Sequence, residues 1–185
     1  MKKNIVVCPG HNKFKQGARN KELNLVEYTE VLKISYELID FLRDYSCFDA
    51  TLVKGTLPFK VREINKIKPD ICLDIHLNSS VSKYVRGTET LHSGSFKSIC
   101  LAEKVQKELV ACLEIPNRGI KKGYYRMDEN NSVLYFLRKT LCPAIILEPL
   151  FMSNQFDVDF IRPKILAEAI GLGIVSYFRE QEFYC

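Results

Sequence analysis

Residues 5–11 read I-V-V-C-P-G-H. Ile5, Val6, Val7 and Cys8 are uncharged, three of them β-branched, and Pro9 and Gly10 bound them. That pattern predicts a short buried strand. Pro9 has no N–H and ends ladder pairing, while Gly10 permits backbone angles closed to other residues. The strand therefore delivers His11 at its carboxyl end, where ligands bind in open α/β sheets. A P-G-H turn on its own is more simply a plain turn, so its meaning rests on whether other strands end the same way.

Two others do. Asp70 to Ile75 reads as a buried strand that ends at His76-Leu77-Asn78-Ser79-Ser80. Ala144-Ile145-Ile146-Leu147 is strongly apolar, and Glu148 stands at its carboxyl end. Between the first two, Tyr28, Val31-Leu32, Ser35, Leu38-Ile39 and Leu42 recur at helical spacing, which predicts an amphipathic helix to about Arg43 with Glu27 in its first turn. Ala50 to Val53 reads as a strand, and Leu57 to Lys66 as a helix with Pro58 near its start. Gly87 to Leu91 alternates as a strand. Ser95 caps a helix through about Leu113 that carries Ile99, Ala102, Val105, Leu109 and Cys112-Leu113 on one face. Val133 to Leu137 is strand-like, and a last helix starting around Pro163 buries Ile165, Ala169, Gly173 and Tyr177. Strands alternating with helices predict an α/β fold, a mainly parallel twisted sheet of about six strands with helices on both faces. The 185 residues fit a single domain, 1–185.

Lys and Arg number 27 against 22 Asp and Glu, a formal charge of +5. These charges are dispersed, with no arginine-rich arm or aromatic RNA-binding strand, so nucleic acid is not the expected partner. No apolar run reaches membrane-spanning length. The opening MKKNIVVCPGHNK is too short in apolar residues for a signal-peptide core. The expected localisation is therefore synthesis in the cytoplasm without general secretory export. The seven cysteines form no C-x-x-C pair and most sit in apolar runs; they read as small buried hydrophobes rather than a disulfide framework.

His11, His76 and Glu148 thus stand at strand ends, and Glu27 opens a helix. Two histidines and a carboxylate drawn from distant elements form the ligand set of a catalytic zinc site with one open position, and a further carboxylate can serve as general base. Each residue has a plainer reading. The histidines can be structural, and Glu27 can be a first-turn acid favoured by the helix dipole. Glu148 is harder to read that way, because a carboxylate directly after an apolar strand faces desolvation unless something pairs with it.

The segments VCPGHNKFKQGA, VEYTEVLKISYELIDFL, KVREINKIKPDICLDIHLNSS, RGTET, NRGIKKGYY, SVLYFLRKTLCPAIILEPLFMSN and AEAIGLGIVSYF occur in one order over nearly the whole chain. In that order they resemble the zinc-dependent N-acetylmuramoyl-L-alanine amidases of the amidase_3 family. The most specific are the P-G-H turn, D-I-H-x-N, N-R-G-x-K and P-A-I-I-L-E-P-L-F-x-S-N. The resemblance implies one catalytic zinc ion bound by His11, Glu27 and His76, with Glu148 as the catalytic carboxylate. Glu22 competes with Glu27. Glu27 is preferred because the family's liganding Glu opens a helix with apolar residues about five, seven and eleven positions on, met here by Leu32, Ile34 and Leu38.

The implied reaction is hydrolysis of the amide between N-acetylmuramic acid and L-alanine in peptidoglycan, with Glu148 moving the water proton to the leaving amine. Asn78, Arg118 and Lys121 are candidates for binding or positioning substrate. His92 is either a cleft residue or exposed, and Arg62 and Asn65 are expected to hold the second helix. The loop Gly123 to Asn131 is a lid or a surface loop. The expected role is wall lysis or remodelling, with a phage-type endolysin favoured: made in the host cytoplasm and reaching the wall after release. The alternative is a catalytically inactive peptidoglycan-binding or regulatory module of the same fold. The chain departs from the family where Asp74 replaces the usual serine before I-H and where Pro149-Leu150 follows Glu148 in place of a glycine two residues on. A carboxylate two residues before His76 is expected to orient its imidazole.

Overall fold

A computed structural model describes residues 2–123 and 132–183. The opening run forms β1 (Lys3–Pro9), and the strands β5 (Ile71–Ile75) and β8 (Ala144–Glu148) lie beside it, all three parallel. With β4 (Phe48–Leu52), β6 (Thr88–His92) and β7 (Asn117–Lys122) they make a six-stranded sheet of order β4-β1-β5-β8-β6-β7. The β8–β6 junction is antiparallel, and the other junctions are parallel. A small hairpin, β2 (Arg19–Asn20) with β3 (Leu25–Val26), lies outside it.

Alternation along the central strands sorts their side chains between two helical layers. Ile5, Val7, Ile71, Leu73, Ile75, Ile145 and Leu147 share one core with α1 (Glu27–Arg43), α3 (Phe96–Leu113) and α5 (Pro163–Phe183). Val6, Cys8, Cys72, Ala144 and Ile146 face the other way, toward α2 (Leu57–Ile67) and α4 (Ser132–Lys139). Strands buried on both faces need continuous apolar runs, which is what these three carry.

Three sequence expectations need correction. Val133 to Leu137 lies in helix α4, not in a strand. An apolar run this short carries no decisive period. The sixth strand is instead the N-R-G-x-K segment, β7, an edge strand with few apolar residues that pairs with β6 alone. In α5, Leu166 is buried and Ile165 is 39% exposed, while Ala169 and Tyr177 are buried as expected. Finally, Cys8 and Cys72 are buried, but Cys47 and Cys112 are exposed and Cys100 and Cys142 intermediate. Among the described residues none is in a disulfide. No helix of the described residues is long and apolar enough to cross a membrane. The loop proposed as a lid lies, apart from Gly123, outside the described residues.

Candidate metal centre

Because β1, β5 and β8 are adjacent and parallel, their carboxyl ends lie side by side, and they carry His11, His76 and Glu148. Two backbone hydrogen bonds extend the register beyond the strands: Gly10 N–H donates to the Ile75 carbonyl (2.6 Å) and His76 N–H to the Leu147 carbonyl (2.8 Å). The turn after β1 works differently from the expectation. His11 itself takes the left-handed backbone, φ 63°. Gly10 does not; what it supplies is the absence of a Cβ, which would stand 2.6 Å from the Ile75 oxygen and 2.7 Å from the His76 ring. A non-glycine residue at positive φ costs of order 1–3 kcal/mol and persists only where its surroundings hold it.

Glu27 comes from the first turn of α1 on the opposite layer. Its N–H donates to the Ala18 carbonyl (3.0 Å), and its carboxylate accepts from the N–H groups of Ala18 (2.8 Å) and Leu77 (3.1 Å). Its two oxygens then meet the two histidines: Oε2 is 3.0 Å from His11 Nε2 and Oε1 is 3.1 Å from His76 Nδ1. The two rings pack edge to face, centroids 4.8 Å apart. Glu22, the competing carboxylate, points away and pairs with Lys83 at 2.6 Å.

The donor set fits a divalent cation. Three ligand atoms, one from each of His11, Glu27 and His76, lie within 4.8 Å of one another. Tetrahedral ligands about 2.0–2.2 Å from zinc stand roughly 3.3–3.6 Å apart, close to the observed nitrogen–oxygen spacings. Without a cation, protons take its place. Burial alone would lower the pKa of His76, but the Asp74 and Glu27 carboxylates, with Glu148 nearby, raise it to about 10. Burial likewise raises Glu27, and hydrogen bonds from His11 and His76 more than offset this, holding its carboxyl well below the usual carboxylate range.

Glu148 is buried at the head of β8, close enough for its charge to act on His76. Its register partner across the antiparallel junction is Glu89 of β6, a buried carboxylate to which the sequence reading assigned no role. Glu89 gathers all three candidate substrate residues. Asn78 Nδ2 donates to it at 2.8 Å and Arg118 Nε at 2.8 Å, and the Lys121 ammonium also pairs with it. Burial raises the Glu89 pKa, and Lys121 and Arg118 outweigh that and lower it.

Asn78 is buried and braces the loop after His76: its N–H donates to the Leu150 carbonyl and its carbonyl accepts from Met152 N–H. The conspicuous L-F-M-S-N run is thus scaffolding for the His76 loop, joined also by the Ser153 hydroxyl to Ser80 N–H. Arg118 lies over the Phe151 ring, 5.0 Å from its centroid, and its side chain is one-third exposed. His92 is buried, with Nδ1 accepting from Gly94 N–H. Asn65 ties α2 to the turn after α4 through Lys139 and Leu141, whereas Arg62 is exposed and pairs with Glu63. Two clefts are lined by neighbours of the cluster. One, of about 450 Å³, includes Asn12, Phe14, Tyr28 and Phe59; the other, of about 760 Å³, includes Arg19, Ser79, Ser80, Tyr84 and Phe156.

Comparison with known proteins bears on the family and the fold. The chain is 30% identical over 183 residues to the probable cell wall amidase LytH of Staphylococcus saprophyticus, covering 96% of this chain and 59% of that protein. It is 27% identical over 190 residues to N-acetylmuramoyl-L-alanine amidase LytC of Bacillus subtilis, covering 95% of this chain and 35% of LytC. The chain therefore spans about one-third to three-fifths of the length of these relatives. Among solved structures, the N-acetylmuramoyl-L-alanine amidase from Clostridium difficile 630 superimposes with a TM-score of 0.86 at 25% identity, covering 96% of this chain and 97% of that one. The Amidase_3 family model, described as N-acetylmuramoyl-L-alanine amidase, matches residues 5–176, and the chain belongs to that family.

Proposed function

We propose that this chain hydrolyses the amide between the lactyl group of N-acetylmuramic acid and the L-alanine of the stem peptide in peptidoglycan, with zinc held by His11, Glu27 and His76. The observation that carries the reading is the gathering of His11, His76 and Glu148 at the carboxyl ends of three adjacent parallel strands, with Glu27 of α1 set between the two histidines, in a chain of this family. Zinc, when bound, supplies a Lewis acid for the scissile carbonyl and a lowered pKa for water.

The chain's residues do the rest. Glu27 spreads its carboxylate between the two rings and is fixed by two backbone N–H groups, so the cluster is preorganised before substrate arrives. Glu148 accepts the proton of the attacking water and passes it to the departing alanine amine, so one carboxylate serves as base and then as acid. Its place beside His76 at the end of β8 puts it within reach of that exchange. Glu89 holds Arg118 and Lys121 at the rim, where their charge favours an anionic peptide.

The test is a pair of variants. Glu148→Gln is expected to keep its zinc and lose turnover of purified walls by at least about 100-fold, the low end for loss of a general acid–base group. His76→Ala is expected to lose zinc. A Glu148→Gln protein that digests walls at the parent rate overturns the catalytic assignment.

A further inference from the structure

Lys60 is 2% exposed, an unusual place for a lysine. It sits in the second turn of α2, and its ammonium has three partners. It donates to the Pro9 carbonyl at 3.0 Å and to Asp74 Oδ1 at 2.6 Å, and it lies 6.0 Å from the centroid of the buried Phe136 ring. Pro9 stands two residues before His11, and Asp74 two residues before His76. One buried cation therefore grips both strand ends that carry the histidines.

The second oxygen of Asp74 completes the link: Oδ2 is 3.4 Å from His76 Nε2. Asp74, buried against the ammonium, is a carboxylate and can only accept. A hydrogen bond to Asp74 needs the proton on Nε2, which leaves the lone pair on Nδ1, the atom facing Glu27 and the proposed cation.

We propose that Lys60 is a positioning residue for the metal centre: it anchors Asp74 so that the His76 ring is held with Nε2 protonated and Nδ1 turned to the site, and through the Pro9 carbonyl it sets where His11 stands. The inference rests on the zinc reading above. It also accounts for the pairing of a buried lysine with an aspartate on an otherwise apolar strand. A buried ion pair is weak evidence for stability, and positional specificity is the better explanation for keeping one.

The experiment measures zinc affinity by competition with a chromophoric chelator, and His76 ring nitrogen-15 shifts, in the parent, Lys60→Met, Asp74→Asn and the double variant. Parent protein is expected to bind one zinc through His76 Nδ1. Lys60→Met is expected to bind about 10–100-fold more weakly although Lys60 never touches the ligands, the effect usual for groups that orient a metal ligand. Its His76 ring is expected to lose the single Nε2-protonated form. The double variant is expected to bind no more weakly than the worse single variant, because both act through one link. It also removes both buried charges and carries the test if Lys60→Met does not fold. Folded variants with parental affinity and parental His76 shifts overturn the proposal. A parent protein that binds no zinc overturns the zinc reading beneath it, and the proposal with it.

Discussion

At Gly17 the backbone is left-handed, φ 76°, and a Cβ would stand 2.3 Å from Glu27 Oε2 and 2.4 Å from the His11 ring. No polar chemistry is involved. The position shapes the cluster by leaving room for it. Gly17→Ala therefore carries two penalties, a strained backbone and a displaced ligand. We expect a stability loss of about 1–3 kcal/mol by urea denaturation and weaker zinc binding in the same protein. Parental zinc affinity in that variant would show that the cluster tolerates movement of Glu27. The candidate site residues at strand ends were the more legible ones. His11, His76 and Glu148 each close a short apolar strand, a pattern that singly also fits a plain turn and gained weight by recurring at three strand ends. Glu27 was chosen over Glu22 by resemblance, and the structure separates them by position: one between two histidines, the other on an exposed lysine. Lys60 and Glu89 left no local signal. A lysine in a charged amphipathic helix reads as a solvated side chain, and only tertiary packing reveals that it is buried.

The elements were legible where period and length agreed. Helix α1 runs from Glu27 to Arg43 and buries Val31, Ile34, Leu38 and Leu42, because its apolar stripe is sustained over more than four turns. The failures are instructive in the same terms. The run Val133-Leu134-Tyr135-Phe136-Leu137 fits a short strand and a turn of helix equally, and α4 takes the second form. Asn117 to Lys122 has one large apolar residue and reads as a loop, yet β6 offers it a free edge to pair with. In α5 a four-residue spacing from Ile165 drifts around the helix, since four residues turn it by more than a full circle. The buried face takes in Leu166, Ala169, Ile170 and Tyr177, and Ile165 falls at its edge. This predicts a contrast between neighbours. Leu166→Ala should cost about 2–5 kcal/mol and Ile165→Ala within about 0.5 kcal/mol, measured by chemical denaturation. Equal losses would place the helix in a different rotation.

At the scale of the whole molecule, the metal centre couples stability to pH. In the metal-free protein the His76 pKa stands at about 10 against an ordinary 6.5. A raised value means that its contribution is fully present below about 6.5 and is lost as pH climbs toward 10. Glu27 has the opposite sign: depressed from 4.5, it contributes above that value and the contribution is lost in acid. Zinc held as proposed would displace the His76 proton, so its affinity is expected to rise over the range in which the metal-free protein weakens. Thermal unfolding from pH 6.5 to 9.5 should show a midpoint that falls with pH under chelator and a gap to the zinc-loaded protein that widens. A constant gap would separate the proton on His76 from the metal site.

The most direct test of the account is mass spectrometry of the soluble products released from purified peptidoglycan, with and without a zinc chelator. The account predicts free stem peptides beginning at L-alanine, released only when zinc is available. Intact disaccharide-peptides as the product, or the same release under chelator, would contradict it.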